Sequence, residues 1–401
     1  MSMFVAKCKQ AVLLKLLGLV GRFSPGANSL AFAGPGSSRQ LCNHIVRSGV
    51  DKVLVVTDKV LRELGVVDQV VAGLVEAGVD IAYYDGVLPD PTYEQVAEGT
   101  KILRQHGSLA VIAIGGGSSI DAGKIIAAGA NSDQSPKEWV GMGKIKHEVL
   151  KIYAVPTTSG TGSEATMGAV ISDSSSHEKG IISMGTLLPA AAAIDPELTT
   201  GLPPHITAAT GMDALTHGIE AYIGLWERGA RLEYGRVCVK LVFEHLAKAY
   251  HEGGNLAARE GLAMGAYYGG MAINQVNVGN VHAIAHQLGG KYGIPHGLAN
   301  SLVLPSVLDF CREESQSRLA ELAIVIGLGV EGDDSVQLAG SFIQAVRELR
   351  TEVGIADKSD KIRPEDYEAM GEAAMSEAAM YPVPRILNKP STLAILKSIT
   401  A

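Results

Sequence analysis

Residues 109–124 read LAVIAIGGGSSIDAGK and place a short apolar run directly before three consecutive glycines. The apolar run predicts a buried β-strand, and the residues after the glycines predict a helix. Because Gly115, Gly116 and Gly117 carry no Cβ atom, a phosphate group could approach the backbone where the helix begins. Ser118 and the first helical N–H groups would then face the anion at the positive end of the helix dipole. Tight packing of the strand against the helix is the alternative explanation of the same glycines.

A second glycine-rich turn occurs at residues 155–164, which read VPTTSGTGSE and again follow an apolar run. Thr157, Thr158 and Thr161 carry hydroxyl groups that could bond to phosphate or ribose oxygens. Alternatively, Thr161 or Ser163 could cap the next helix. Two such turns at the carboxyl ends of parallel strands would face one crevice, where α/β sheets bind their ligands. Together the two turns favour a dinucleotide.

Short β-branched runs alternate with helix-length segments from about residue 28 to residue 195. This alternation predicts parallel strands joined by helical crossovers, with the strands buried on both faces of the sheet. These predicted strands are 29–33, 52–57, 80–84, 109–114 and 152–155, and a second group at 169–172, 180–184 and 191–194 predicts further short strands. After Pro203 and Pro204, helical periodicity continues almost without a break. We therefore predict an α/β fold with three segments: a basic extension at 1–23, a Rossmann-like dinucleotide-binding domain at 24–202 and an all-helical domain at 203–401.

The composition excludes several classes of protein. The 401 residues are 47% hydrophobic and carry a net charge of -8, so neither a disordered chain nor a nucleic-acid-binding protein is expected. The four cysteines form no C-x-x-C pair, which argues against a disulfide framework or a thiolate zinc site and favours a reducing, cytoplasmic location. No run reaches the roughly 18 uncharged apolar residues of a membrane span.

The first 23 residues carry Lys7, Lys9, Lys15 and Arg22 and no acidic residue. A signal peptide would have an unbroken apolar core, which Lys15 interrupts here. An amphipathic helix lying on a membrane surface is a second alternative. We expect a helix that packs on the body of the protein or on a partner subunit.

Five polar residues in the helical half have informative spacing. Asp213 and His217 lie four apart in GMDALTHGIEAY, and His282 and His286 lie four apart in VHAIAHQLGG, so each pair shares a helix face. His296 follows in the sequence IPHG. Any one of these histidines could be an ordinary core residue. Five such groups in apolar helices instead favour a cation, because a buried carboxylate needs compensation, and the imidazole and oxygen ligands suit Fe(II) or Zn(II).

The segments GGGSSIDAGK, PTTSGTGSE, GMDALTHGIEAY and VHAIAHQLGGKYGIPHG together resemble the iron-dependent (group III) alcohol dehydrogenases, from about residue 28 to about residue 390. The resemblance implies a dehydroquinate synthase-like architecture, with the active site in the cleft between the two domains. It implies Asp213, His217, His282 and His296 as ligands of one divalent metal, with Fe(II) favoured over Zn(II). His286 matches a position linked to proton transfer.

The resemblance also implies the cofactor-binding residues. These are Asp58, Gly115, Gly116, Gly117, Ser118, Asp121, Thr157, Thr158, Thr161 and Lys179. Asp58 matches the position that contacts the adenosine ribose, where its negative charge would favour NAD over NADP. The alternative for Asp58 is a helix cap.

These observations predict an NAD-dependent, metal-dependent enzyme that transfers a hydride between a primary alcohol or aldehyde and the nicotinamide. We expect a small-molecule substrate and a homodimer. A lyase or cyclase acting on a phosphorylated sugar is a rival, but residues 205–300 contain few Lys and Arg to bind its phosphate. A non-catalytic nucleotide-binding protein is the other rival, and it would leave the ligand set unexplained. Residues 165–168 (ATMG) and 183–187 (SMGTL) depart from the family pattern, so no specific alcohol is predicted.

Overall fold

The computed structural model describes residues 29–175, 178–226, 229 and 232–401. The basic extension predicted at residues 1–23 lies outside these described residues. The described chain forms an α/β unit, residues 29–202 with Gly254–Gly270, and a helical unit, Pro203–Gly253 with Met271–Ala401. Within the part of the chain that the structure describes, no helix is both long and apolar enough to cross a bilayer.

The α/β unit is built on a six-stranded parallel sheet with the order β1-β9-β6-β4-β2-β3. A smaller sheet has the order β5-β8-β7, in which β7 and β8 are antiparallel. The strands are β1 (Leu30–Ala33), β2 (Lys52–Val56), β3 (Asp80–Tyr84), β4 (Ala110–Gly115), β5 (Gly141–Met142), β6 (Lys151–Pro156), β7 (Gly168–Ser172), β8 (Lys179–Ser183) and β9 (Ala191–Ile194).

Helices cover both faces of the large sheet, because successive strand residues point to opposite sides. Val53 and Val55 of β2 pack in one core cluster with residues of α1 and α3. Leu54 and Val56 pack in a second cluster with residues of α4 and α5. The helices of residues 29–202 are α1 (Ser37–Arg47), α2 (Lys59–Glu63), α3 (Val66–Glu76), α4 (Tyr93–His106) and α5 (Gly117–Gly129).

The prediction that the first five predicted strands are buried on both faces was wrong for β1 and β3. Leu30 of β1 is 47% exposed, and Asp80 of β3 is exposed as well. The reason is their position, because β1 and β3 form the two edges of the large sheet. An edge strand has a neighbour on one side only, so helices cover it less completely.

The helical unit packs around α6, which is buried at every residue from Gly211 to Ile223. In a helix that is buried on all sides, a polar side chain without a hydrogen-bond partner or counter-ion costs free energy. The helices from residue 204 onward are α6 (Pro204–Ile223), α7 (Leu232–His251), α8 (Leu256–Val276), α9 (Asn280–Tyr292), α10 (His296–Cys311), α11 (Gln316–Val325), α12 (Ser335–Glu352), α13 (Tyr367–Ala378) and α14 (Lys389–Ser398).

The first part of α8 groups with the α/β unit, whereas the sequence assigned all of residues 203–401 to the helical domain. Two contacts explain this grouping. Arg259 donates a hydrogen bond to the Leu202 carbonyl at 3.3 Å. A Cβ atom on Gly270 would lie 2.3 Å from the Gly162 carbonyl oxygen, so α8 packs directly on the second glycine-rich turn.

Candidate cofactor and metal sites

The two glycine-rich turns meet in the α/β unit because the strands that precede them, β4 and β6, are neighbours. The N–H of Thr157 donates to the Gly115 carbonyl at 3.0 Å and continues this pairing. A Cβ atom on Gly117 would lie 2.6 Å from Thr161 Cγ2, so only glycine permits this approach. The tertiary structure thus brings together the two motifs that were predicted to bind a dinucleotide.

The amino end of α5 can receive an anion. Gly116 is the N-cap residue of α5, and no described side chain caps the helix. Gly115 has φ of +149°, a conformation that residues with a Cβ atom rarely adopt. Gly117 and Ser118, which begin α5, are partly exposed. The first N–H groups of α5 and the helix dipole can therefore stabilise a pyrophosphate.

Asp58 lies at the same edge of the sheet, between β2 and α2. Its Oδ1 atom accepts a hydrogen bond from the Leu61 N–H at 3.0 Å, so Asp58 is the N-cap residue of α2. Because β2 neighbours β4, Asp58 lies beside the first glycine-rich turn. The helix cap that the sequence allowed is present, and the ribose contact stays a prediction.

Asp121 and Lys179 are already paired within the α/β unit. Ser163 Oγ donates to Asp121 Oδ1, and the Val170 N–H donates to Asp121 Oδ2 at 2.9 Å. Lys179 Nζ forms an ion pair with Asp90 Oδ1 at 2.9 Å. Direct contact of Asp121 and Lys179 with a cofactor stays a prediction.

Four side chains of the helical unit form a cluster of possible metal ligands. One ligand atom each from Asp213, His217, His282 and His296 lies within 4.8 Å of the other three. Gly297 makes this possible, because a Cβ atom there would lie 2.2 Å from the Ala209 carbonyl oxygen and force α10 away from α6. Burial disfavours ionisation of Asp213, but its interactions with His217, His296 and the Asn300 amide outweigh it and lower the pKa of its carboxyl.

Asn300 shows that this cluster has more lone pairs than hydrogen-bond donors. Its Nδ2 atom lies 2.6 Å from Asp213 Oδ1, 3.2 Å from His282 Nε2 and 3.3 Å from His296 Nε2. An amide nitrogen carries two N–H groups and cannot serve three acceptors. Among the described residues, buried Asn300 Oδ1 and His217 Nδ1 have no hydrogen-bond partner. A divalent cation would use the surplus lone pairs, so these residues fit a metal ion.

Glu220 orients one of the imidazoles. Its carboxylate accepts hydrogen bonds from His282 Nδ1 at 2.6 Å, from the Gly279 N–H at 2.8 Å and from the Val281 N–H at 2.6 Å. Because Nδ1 holds the proton, the Nε2 lone pair of His282 faces the cluster. Burial, reinforced by His217, lowers the pKa of His282 well below its usual value, so the ring stays neutral as a ligand must.

His286 shares the face of α9 with His282 and contacts the cluster from the side. Its ring stacks on that of His296, with 5.3 Å between the ring centroids. His286 Nδ1 lies 2.6 Å from Glu377 Oε1, and the Tyr381 hydroxyl donates to the same oxygen at 2.7 Å. His286 is not among the four clustered ligand candidates, and its role in proton transfer stays a prediction.

The sequence prediction missed three residues of this region: Glu220, Asn300 and Glu377. Glu220 lies three residues after His217 on α6, and Asn300 lies four after His296 on α10. Helical spacing from a predicted ligand could therefore have identified both residues. No such signal exists for Glu377, because it lies 91 residues from His286 along the chain.

A parallel α/β unit with a glycine-rich turn at a helix amino end and a helical unit with a carboxylate–imidazole cluster are the features of a metal-dependent nicotinamide oxidoreductase. The chain belongs to the iron-containing alcohol dehydrogenase family. The family model "Iron-containing alcohol dehydrogenase" matches residues 29–196, and the model "Fe-containing alcohol dehydrogenase family, C-terminal" matches residues 207–400.

Individual relatives resemble the chain over nearly its full length. It is 34% identical over 370 residues to 1,3-propanediol dehydrogenase of Klebsiella pneumoniae, covering 91% of this chain and 96% of that protein. It is 33% identical over 367 residues to NAD-dependent methanol dehydrogenase of Bacillus methanolicus, covering 91% of this chain and 96% of that protein. A solved structure of 1,3-propanediol oxidoreductase superposes with a TM-score of 0.89 at 34% identity, covering 92% of this chain and 97% of that one. The predicted family, fold class and iron-type alcohol dehydrogenase activity are confirmed.

Proposed function

We propose that the protein transfers a hydride between NAD and a small primary alcohol or its aldehyde, with one divalent metal that is Fe(II) in preference to Zn(II). The observation that carries this proposal is the cluster of three imidazoles and one carboxylate with surplus lone pairs. Such a ligand set without thiolate suits both ions. The substrates of two relatives, methanol and 1,3-propanediol, support the substrate class.

Asp213, His217, His282 and His296 would hold the metal. When bound, a divalent ion supplies Lewis-acid polarisation of a substrate oxygen. The protein's own contribution is to fix the ligands before the reaction. Glu220 keeps the His282 proton on Nδ1. The amide of Asn300 donates to Asp213 and orients its carboxylate.

His286 would move the hydroxyl proton of the substrate. Its Nδ1 atom faces Glu377, which leaves Nε2 as the nitrogen that receives and releases a proton. Glu377 is itself held by Tyr381 and by Gln287, whose Nε2 atom donates to Glu377 Oε2 at 2.9 Å. These contacts fix both the ring orientation and the tautomer of His286.

The two glycine-rich turns would hold the cofactor, with its pyrophosphate at the amino end of α5. Asp58 would accept hydrogen bonds from the adenosine ribose and repel the 2′-phosphate of NADP. Its only adjacent basic residue in the sequence is Lys59, and no arginine stands next to it. The residues proposed to contact the pyrophosphate or the nicotinamide ribose are Gly115, Gly116, Gly117, Ser118, Thr157, Thr158 and Thr161.

The homodimer and the cytoplasmic location remain predictions from the sequence. Cys42, Cys238 and Cys311 are buried free thiols, which a reducing compartment allows.

The activity is tested by NADH absorbance with a series of short primary alcohols and aldehydes. The protein is purified anaerobically, its metal is measured, and the apo-protein is reconstituted with Fe(II) or Zn(II). We expect turnover only with metal, faster with Fe(II), and more efficient with NAD than with NADP. Full metal occupancy without any NAD(H)-dependent absorbance change would contradict the proposal.

The ligand assignment is tested with His217→Ala and a matched control, His205→Ala. Both histidines lie on α6, but His205 is exposed. The His217 variant should lose metal and turnover and keep its NADH affinity, because the glycine-rich turns are in the other unit. The His205 variant should keep all three properties. A His217 variant that retains metal would refute the ligand set.

A further inference from the structure

Lys124 is a buried lysine that the proposed reaction does not use. Its side chain is 0% exposed, and its ammonium group donates to Ser163 Oγ at 2.9 Å, to Thr166 Oγ1 at 3.1 Å and to the Gly168 carbonyl at 2.6 Å. An ammonium group has three N–H donors, so all three are used. Burying this charge is costly unless its partners are held accurately in place.

Asp121 is the counter-ion of Lys124, one helical turn earlier on α5. Its Oδ1 atom lies 3.6 Å from Lys124 Nζ. The same carboxylate accepts hydrogen bonds from Ser163 Oγ and from the N–H of Val170. Ser163 therefore bonds to both members of the ion pair. The ion pair connects α5 to the second glycine-rich turn and to β7.

The contacts of Lys124 lie next to the place where the two glycine-rich turns meet. Gly117 begins α5, and Lys124 lies about two helical turns further along the same rigid helix. Thr161 approaches Gly117 so closely that a Cβ atom there would lie 2.6 Å away, and Ser163 follows two residues later. The contact of Lys124 with Ser163 thus fixes the distance between the two turns.

We propose that Lys124 is a positioning residue for the cofactor: by binding Ser163, Thr166 and Gly168 it holds the second turn against α5 in the arrangement that accepts the nucleotide. Lys124 itself does not touch the cofactor in this role. The inference rests on the proposed function, since the nucleotide is the NAD proposed above. A residue that only stabilised the α/β unit would affect unfolding without affecting cofactor affinity.

The test is Lys124→Met, which keeps an unbranched side chain one atom shorter and removes its charge and donors. Lys52→Met is the matched control, because Lys52 forms an exposed ion pair with Asp80 at the amino end of β2. The dissociation constant of NADH is measured by fluorescence titration, well below the unfolding temperature. We expect it to rise about tenfold or more in Lys124→Met, the loss expected from hydrogen bonds to a charged group, and to stay unchanged in Lys52→Met.

Two further readouts separate positioning from general damage. The metal content of Lys124→Met should equal that of the wild type, because the ligands lie in the helical unit. The KM for NAD should rise by a larger factor than kcat falls. Should Lys124→Met fail to fold, Thr166→Val decides the question, since it removes one acceptor of Lys124 at nearly constant volume. We expect it to weaken NADH binding about threefold or more.

A variant that unfolds at a lower temperature but binds NADH within twofold of the wild type would overturn the inference. Failure of the wild type to bind NADH would instead overturn the proposed function. The two failures are therefore distinguishable in one set of titrations.

Discussion

The substitution Glu220→Gln tests how much the metal site depends on a residue that is not a ligand. In the wild type, Oε2 accepts from the Gly279 N–H and from His282 Nδ1, and Oε1 accepts from the Val281 N–H. Glutamine has nearly the same shape but only one oxygen. Whichever way the amide is oriented, its NH₂ group faces at least one N–H donor.

The two orientations have different consequences. If the amide nitrogen faces Val281, one hydrogen bond is lost and His282 is held by a neutral acceptor. If it faces His282 and Gly279, two bonds are lost, and His282 can recover one only by moving its proton to Nε2, the atom that must bind metal. Losing a hydrogen bond to a charged group in a buried place costs about 1–3 kcal/mol. Burial also raises the pKa of Glu220 to about 7, so glutamine offsets part of that loss in the apo-protein at neutral pH by removing a buried charge. We therefore expect metal affinity to fall about 10–100-fold.

Metal affinity is measured by chelator competition with Zn(II), and stability by denaturant unfolding of the apo-protein. Glu348→Gln is the control, because Glu348 is exposed and accepts a hydrogen bond only from the neighbouring Gln344 among the contacts described. It should match the wild type in both measurements. If Glu220→Gln lowers apo stability but binds Zn(II) within twofold of the wild type, Glu220 holds the helices together and does not prepare His282 for metal. That result would refute our explanation.

Three further predictions concern other parts of the molecule. Asp58→Gly should narrow or reverse the preference for NAD over NADP, measured as a ratio of catalytic efficiencies; an unchanged ratio with lower stability would leave Asp58 as a helix cap only. His286→Ala should keep stoichiometric metal, lower kcat about 10²–10⁴-fold and change its pH profile, whereas loss of metal would make His286 a ligand. Burial raises the pKa of Glu164 from 4.5 to about 7, so its contribution to stability is complete below pH 4.5 and is lost as the pH rises through 7. Glu164→Gln should therefore equal the wild type in unfolding free energy near pH 4.5 and exceed it by up to about 3 kcal/mol at pH 8, measured by denaturant titration; an equal difference at both pH values would contradict this.

The local parts of the fold were predictable because they depend on the order of neighbouring residues. The predicted strands 80–84 and 191–194 have the same bounds as β3 and β9, and the other predicted strands differ by one residue at one or both ends. Alternating apolar runs and glycine or proline breaks carry this information. Helical spacing, together with the nearby His296, marked five candidate groups, and the resemblance to the family selected four of them as metal ligands; the structure brings those four together.

The pairing of the strands was not predictable from the sequence. The sequence grouped 169–172, 180–184 and 191–194 as further short strands, but β9 inserts between β1 and β6 of the large sheet. The strands β7 and β8 instead form an antiparallel pair in a second sheet. This strand order also places β1 and β3 at the two edges of the large sheet. Strand order depends on how helices and loops cover each face, and residue periodicity within a strand does not encode it.

What the sequence by itself determined is therefore the set of chemical groups and the short elements that carry them. Only the tertiary structure decided which second residue supports each functional group. Glu220 bonds to His282, Glu377 bonds to His286, and Lys124 bonds to Ser163. These partners lie 62, 91 and 39 residues apart along the chain. Their meeting depends on the packing of whole helices and strands, since a hydrogen bond forms only when that packing brings two atoms to about 3 Å.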